Sequence, residues 1–239
     1  MLPAFPRTPH LPHLPNVEEN DVVASEKDAE KVFSIPTSRI HIEEKIDGAS
    51  VGFTLHDGYP VIRNRDHILG KGFLRKQIDT TAKMQFRSIW SWFYKNKDKF
   101  KAICDNQPFS VYGEWMVAQH GIFYDKLPDW FVAYDIYNYE SEKFLAPQTA
   151  RRLLERAGFV CPECLSGDVE NYDDLVKLAN GQSKWSNDKR EGIYLKIDNS
   201  EIVTHRFKMV REDFQRGALW NNTEMIKNEL LEKSLAANV

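Results

Sequence analysis

The chain has 239 residues, enough for one substantial core with at most a small appendage. Its formal net charge is −3 with 28% charged residues, which excludes a polycation that grips nucleic acid over its whole surface and leaves only a local basic site. No apolar run approaches the length of a membrane span, and no basic segment followed by an apolar stretch opens the chain, so a soluble, non-secreted protein with no membrane contact is expected.

Pro3, Pro6, Pro9, Pro12 and Pro15 fall on every third position, the period of polyproline II. His10 and His13 share that spacing, as do Leu11 and Leu14. Residues 1–24 therefore read as an extended arm packed along a domain surface, with an acidic, polar turn over 16–21. Residues 25–33 can form a short helix, with Ser25 as N-cap and Asp28 at its third position.

The first strong strand covers 40–46. Alternation puts Ile40, Ile42, Glu44 and Ile46 on one face and His41, Glu43 and Lys45 on the other. Asp47-Gly48 then turns the chain. Lys45 so stands at the end of a mostly buried strand. Desolvation lowers the pKa of a lysine, which is what an amine nucleophile requires. A K-x-D-G taken alone fits a surface lysine beside a hairpin turn better than a nucleophile.

Val51, Phe53 and Leu55 alternate in the next strand, His56-Asp57-Gly58 makes a hairpin turn, and 59–65 returns as a third strand. Leu69-Gly70-Lys71-Gly72 lacks the P-loop frame and reads as a glycine turn. Residues 73–104 form the longest helix-like stretch, with an aromatic stripe at Phe86, Ile89, Trp90 and Phe93. Lys95, Lys97, Lys99 and Lys101 scatter around its end and are solvated. Strands are predicted over 110–117 and 130–137, with a loop over 119–128 between them. A helix over 149–157 ends at Gly158.

Cys161 and Cys164 have C-x-x-C spacing, but a closed zinc site needs two further ligands. With Cys104 the count is three, which argues against a disulfide framework. A helix over 172–179 stops at Asn180-Gly181. Strands over 191–197 and 201–210 are joined at Asp198-Asn199-Ser200, and an amphipathic helix covers 223–236. Helices interspersed with hairpin-linked strands make the class α+β with antiparallel sheets. No repeat or linker divides the chain, so 1–239 is expected to be one domain.

Charges interrupt these strands at separate places. They are Arg65, Glu114 within Val111-Tyr112-Gly113-Glu114-Trp115, Asp135 after Ala133-Tyr134, Glu191 before Gly192-Ile193, and Arg206 with Lys208 on one face of the last strand. Buried strand charges are costly unless paired or in use. In this order, with Lys45-Ile46-Asp47-Gly48 ahead of them, they resemble the covalent nucleotidyltransferase superfamily of polynucleotide ligases and capping enzymes. Within it the chain looks most like the ATP-dependent RNA ligase family, in its phage and bacterial branch. Arg7-Thr8-Pro9-His10-Leu11-Pro12 carries that narrower likeness, as does Ala118-Gln119-His120-Gly121-Ile122-Phe123-Tyr124 after Gly113-Glu114-Trp115.

The resemblance implies the ligase adenylation fold, with antiparallel sheets flanked by helices. It implies that Lys45 becomes adenylylated by ATP, that Arg65 and Glu114 contact the ribose, and that Tyr134 stacks on adenine. Glu191 and Glu114 would face a divalent cation, Mg²⁺ or Mn²⁺, while Arg206 and Lys208 would hold the α-phosphate. The substrate would be RNA with 5′-phosphate and 3′-hydroxyl ends, delivered by an end-healing enzyme, to a monomer in the cytoplasm of a bacterial cell or phage-infected host. Strand alternation adds Glu43 as an acceptor for the adenine amine. Residues 217–239 hold one helix and no OB domain, so the core or a partner would grip the RNA. A DNA ligase, a GTP-dependent capping enzyme and a catalytically idle RNA-binding module share these motifs and remain alternatives.

Overall fold

A computed structural model describes residues 3–12, 17, 21–56, 58–70, 84–167, 169–215 and 225–231. Strands β1 (Ile40–Lys45), β7 (Gly192–Asp198) and β8 (Val203–Val210) form a three-stranded sheet in the order β1-β7-β8. Strands β2 (Ala49–His56), β3 (Tyr59–Asn64), β4 (Phe109–Trp115), β5 (Phe131–Asn138) and β6 (Lys143–Phe144) form a second sheet, ordered β3-β2-β4-β5-β6. Every strand pair in both is antiparallel, as hairpin-linked strands require. The helices are α1 (Glu26–Ala29), α2 (Lys31–Ser34), α3 (Ile89–Cys104), α4 (Pro147–Arg156) and α5 (Tyr172–Ala179).

Each sheet buries one face under helices. Val51, Phe53 and Leu55 of β2 pack with Phe93, Phe100 and Ile103 of α3 and Leu154 of α4. Phe53 lies 4.7 Å from Phe100 and 4.9 Å from Phe131, ring centre to ring centre. Each such side chain contributes about 1.5–3 kcal/mol by leaving water. In the smaller sheet, Ile42, Ile193, Leu195 and Phe207 pack with Leu175 and Ala179 of α5 and Val32 of α2. Between the sheets, apolar clusters such as Val203 with Tyr137 and Phe144 stand beside a polar contact. Lys196 of β7 lies 2.6 Å from Glu43 of β1 and 2.9 Å from Asp135 of β5.

One irregularity shapes the centre. Tyr112 pairs with Asp135 but Gly113 pairs with Ala133, so Tyr134 is the extra residue of a β-bulge. Phe131, Ala133 and Ile136 all point into the helix-covered core. Two consecutive residues, Tyr134 and Asp135, therefore leave that face together. Bulges re-aim side chains in this way.

Several local expectations match. Ser25 accepts from Asp28 N, although a break at Glu30 splits the expected helix into α1 and α2. Gly158 ends its helix at φ 86°, and α5 runs Tyr172–Ala179. Lys95, Lys97 and Lys101 are exposed. Others need correction. The long helix begins at Ile89, while 84–88 turn and 73–83 lie outside the described residues. In the terminal stretch expected to be a helix, residues 225–230 are extended. Gln119 N donates to Ile226 O, Asn228 N to Val117 O and Glu229 N to Tyr124 O. The loop after β4 satisfies backbone groups that a helix would have satisfied internally. Residues 223–224 and 232–236 lie outside the described residues, as do His13, Leu14, Pro15 and Asp57. Cys161 and Cys164 are free, and no group of three potential ligands is poised to hold a metal among the described residues. No described helix is long and apolar enough to cross a membrane.

Candidate active site

The edges of the two sheets and residues 5–8 enclose a cavity of about 370 Å³. Lys45, Arg65, Glu114, Tyr134, Glu191 and Lys208 all line it. Residues that the sequence separates by up to the length of the core motifs thus meet around one space.

The pairing of β1 with β7 places Lys45 opposite Gly192, which brings the preceding Glu191 to the lysine. Lys45 Nζ donates to Glu191 Oε2 at 2.6 Å. Close approach demands glycine on both sides of this contact. A Cβ on Gly48 would stand 2.7 Å from Met116 Sδ and 3.1 Å from Trp115 O, and one on Gly192 would strike Met209 O. Asp47, between Lys45 and Gly48, lines the cavity and binds the loop after β4. Its Oδ2 accepts from Gly121 N at 2.6 Å and Ile122 N at 2.9 Å, and its own N–H donates to Tyr124 Oη.

The lysine departs from the expectation of a lowered pKa. Burial does push its ammonium down, but the carboxylates of Glu191 and Glu114 outweigh burial, and the net direction is up. At 2.6 Å the pair is an ammonium and a carboxylate, so the amine holds its proton at rest. Burial pushes the Glu191 carboxyl up to about 7 against the pull of Lys45. Burial also pushes Glu114 up to about 8, again eased by Lys45. Glu114 Oε1 accepts from Tyr134 Oη at 3.4 Å, while its Oε2 is buried in the cavity wall with no partner among the described residues.

Two expected site residues stand elsewhere. Glu43 is buried and does not line the cavity; Lys196 takes its carboxylate at 2.6 Å. Alternation put it on the right face, but the cross-sheet lysine claims it. Arg206 does not line the cavity either. Its guanidinium lies between the rings of Phe5 and Phe144, at 4.7 and 4.0 Å, and donates to Pro6 O. Lys208 is the β8 cation that faces the cavity, 3.2 Å from Asp21.

A family model described as RNA ligase matches residues 38–210. The chain belongs to the RNA ligase family. A search of the curated proteins finds no match. Among solved structures, a variant of Naegleria gruberi RNA ligase with ATP and Mn superposes at TM-score 0.53 and 19% identity, over 72% of this chain and 49% of that one. The same ligase with PPi gives TM-score 0.52 and 19% identity, over 72% and 49%. A further variant with ATP and Mn gives 0.53 and 16%, over 82% and 55%. At these identities the likeness is one of fold. The chain spans about half the length of the Naegleria chains it matches.

Motif reading of this RNA ligase family member missed several residues. Tyr194 opposes Tyr134 with ring centres 6.2 Å apart, and burial holds both phenols protonated. Tyr194 lies three positions after Glu191, so period-two counting from that glutamate reaches Ile193 and Leu195 of the core and passes Tyr194 by. Phe5, Thr8 and His120 also line the cavity; Thr8 and His120 lie in the two segments that carry the narrower family likeness, which assigned them no role. The orphaned Glu114 oxygen and the Glu191 carboxylate suit a hard divalent cation that keeps much of its water. They supply too few protein ligands for a closed cage, which fits a cation that enters with phosphate oxygens.

Proposed function

We propose that this member of the RNA ligase family joins RNA ends at the expense of ATP, through a Lys45–AMP intermediate. The supporting observation is Lys45 Nζ in the cavity wall, against Glu191 and in the same enclosure as Glu114, Tyr134 and Lys208. Glu191 accepts the ammonium proton, a transfer suited to a carboxyl raised towards neutrality. The free amine attacks the α-phosphorus of ATP. A P–N bond forms, the bond to pyrophosphate breaks, and the nitrogen sheds its second proton to solvent. Lys208 neutralises charge on the phosphate, and Tyr134 with Tyr194 receives the base. Glu191 and Glu114 would hold Mg²⁺ or Mn²⁺, which supplies charge neutralisation at phosphorus. AMP passes to an RNA 5′-phosphate, a 3′-hydroxyl attacks that activated end, and AMP leaves. Each step is displacement at phosphorus, so positioning and electrostatics carry the catalysis.

The narrower readings rest on sequence resemblance. The 7–12 and 118–124 segments favour the phage and bacterial branch; a cytoplasmic monomer, with an end-healing partner enzyme to prepare the RNA ends, is proposed alongside it. Arg206 acts from behind the cavity, and Glu43 has no contact left for adenine.

Incubation with radiolabelled ATP and Mg²⁺, then a denaturing gel, tests the reading. The wild type should carry a covalent label and Lys45→Ala none. Full labelling of Lys45→Ala sinks the assignment. Nicked and single-stranded RNA and DNA substrates, run in parallel, separate an RNA ligase from a DNA ligase, and GTP labelling would mark a capping enzyme.

A further inference from the structure

The N-terminal arm crosses the mouth of the aromatic slot. Lys208 N donates to Pro9 O, and Leu11 N to Lys208 O, so the arm extends the small sheet beyond β8. His10 N donates to Val22 O and Ala24 N to His10 O, which locks the arm from its other side. Further out, Tyr112 Oη donates to Pro3 O at 2.6 Å and Arg206 Nη2 to Pro6 O at 3.0 Å. Phe5 sits edge-on to Tyr134 at 5.4 Å. The arm is thus fixed on both edges against residues of the cavity.

Thr8 occupies the place between. It lines the main cavity beside Lys45 and Glu114, and also the narrow extension bounded by Tyr134, Tyr194 and Phe5. It is 7% exposed, yet its Oγ1 has no hydrogen-bond partner among the described residues. The charged side chains of the extension pair with one another, Lys196 and Arg206 facing Asp135 at 2.9 and 3.8 Å, although Arg206 Nη1 and Asp135 Oδ1 also make no hydrogen bond among the described residues. A buried hydroxyl without a partner costs free energy, and a native fold keeps one where a ligand satisfies it.

We infer that the arm is a working wall of the nucleotide site, and that Thr8 Oγ1 hydrogen-bonds the purine base held in the main cavity against Tyr134 and Tyr194. The base is favoured over the phosphates because Thr8 also lines the narrow space behind the cavity together with Tyr134 and Tyr194, the rings against which the base would rest. A hydroxyl both donates and accepts, so it meets either kind of ring atom. The inference rests on the proposed nucleotide site.

Calorimetric titration of the whole chain with ATP tests it, alongside tripolyphosphate as a competitor that has no base. Thr8→Val keeps the shape and the buried methyl and removes the hydroxyl. It should weaken ATP binding by about five- to tenfold, the worth of one neutral hydrogen bond, and leave tripolyphosphate unchanged. Thr8→Ser should restore ATP affinity. Equal ATP affinity in Thr8→Val overturns the inference and assigns the hydroxyl to a bound water. Equal weakening of ATP and tripolyphosphate also overturns it, since a displaced arm would act on both. If the wild type binds no ATP, the nucleotide site itself is wrong and the role of Thr8 falls with it.

Discussion

At the scale of single residues, the site is governed by burial acting against charge. Lys45 holds its proton because Glu191 stands 2.6 Å away, although burial alone would strip it. Glu114 shows the opposite balance: burial wins and raises its carboxyl to about 8. The consequence for stability has a definite sign. A carboxyl raised in the folded state contributes stability that is complete below its ordinary value, near 4.5, and lost as pH climbs through about 8. The nucleotide-free protein should therefore lose stability across that window, and Glu114→Gln should flatten the loss. Thermal unfolding of both proteins between those limits checks this; parallel pH profiles would refute it.

At the scale of elements, glycines and a bulge decide where the chemistry stands. The β1–β7 register brings Glu191 to Lys45 only if β8 lies close against Gly192. Gly192→Ala would drive a methyl into Met209 O of the neighbouring strand. It should cost about 1–3 kcal/mol in denaturant unfolding and depress self-labelling with it. A stable variant with full labelling would mean that the strands part without moving Glu191. The bulge at Tyr134 explains why strict alternation fails in β5, where Tyr134 and Asp135 both leave the core face. The segment 225–230 is held by Asn228, whose side chain donates to Met116 O and Ala118 O and accepts from Tyr124 N. That clasp fixes the same loop that Asp47 binds from the lysine side.

At the scale of the whole molecule, two helix-covered sheets meet through apolar clusters and one buried charge network. Lys196 bridges Glu43 on its own sheet and Asp135 on the other, with all three side chains nearly sealed from water. Removing one member of a buried network strands the opposite charges, at a cost of about 3–5 kcal/mol. Lys196→Met should lose that much in denaturant unfolding. Adding Glu43→Gln and Asp135→Asn should recover part of it, because the stranded carboxylates are then neutral. Additive losses in the triple variant would mean the three residues act independently.

The sequence by itself determined the elements and their class. Apolar alternation in β2, the Ser25 cap, the Gly158 stop and the bounds of α5 arise from contacts a few residues apart, and local spacing encodes them. The ordered motifs gave the family as well, because the fold and the family match gather residues that those motifs had already named. Tertiary structure alone decided which charges face the cavity. Glu43 and Arg206 lie on strand faces that alternation predicts, yet Lys196, Asp135 and the rings of Phe5 and Phe144 claim them from distant parts of the chain. The proton on Lys45, the extended course of 225–230 and the burial of Thr8 have the same origin. Each depends on which groups arrive opposite once the sheets have closed, and spacing along a chain carries no record of that distance.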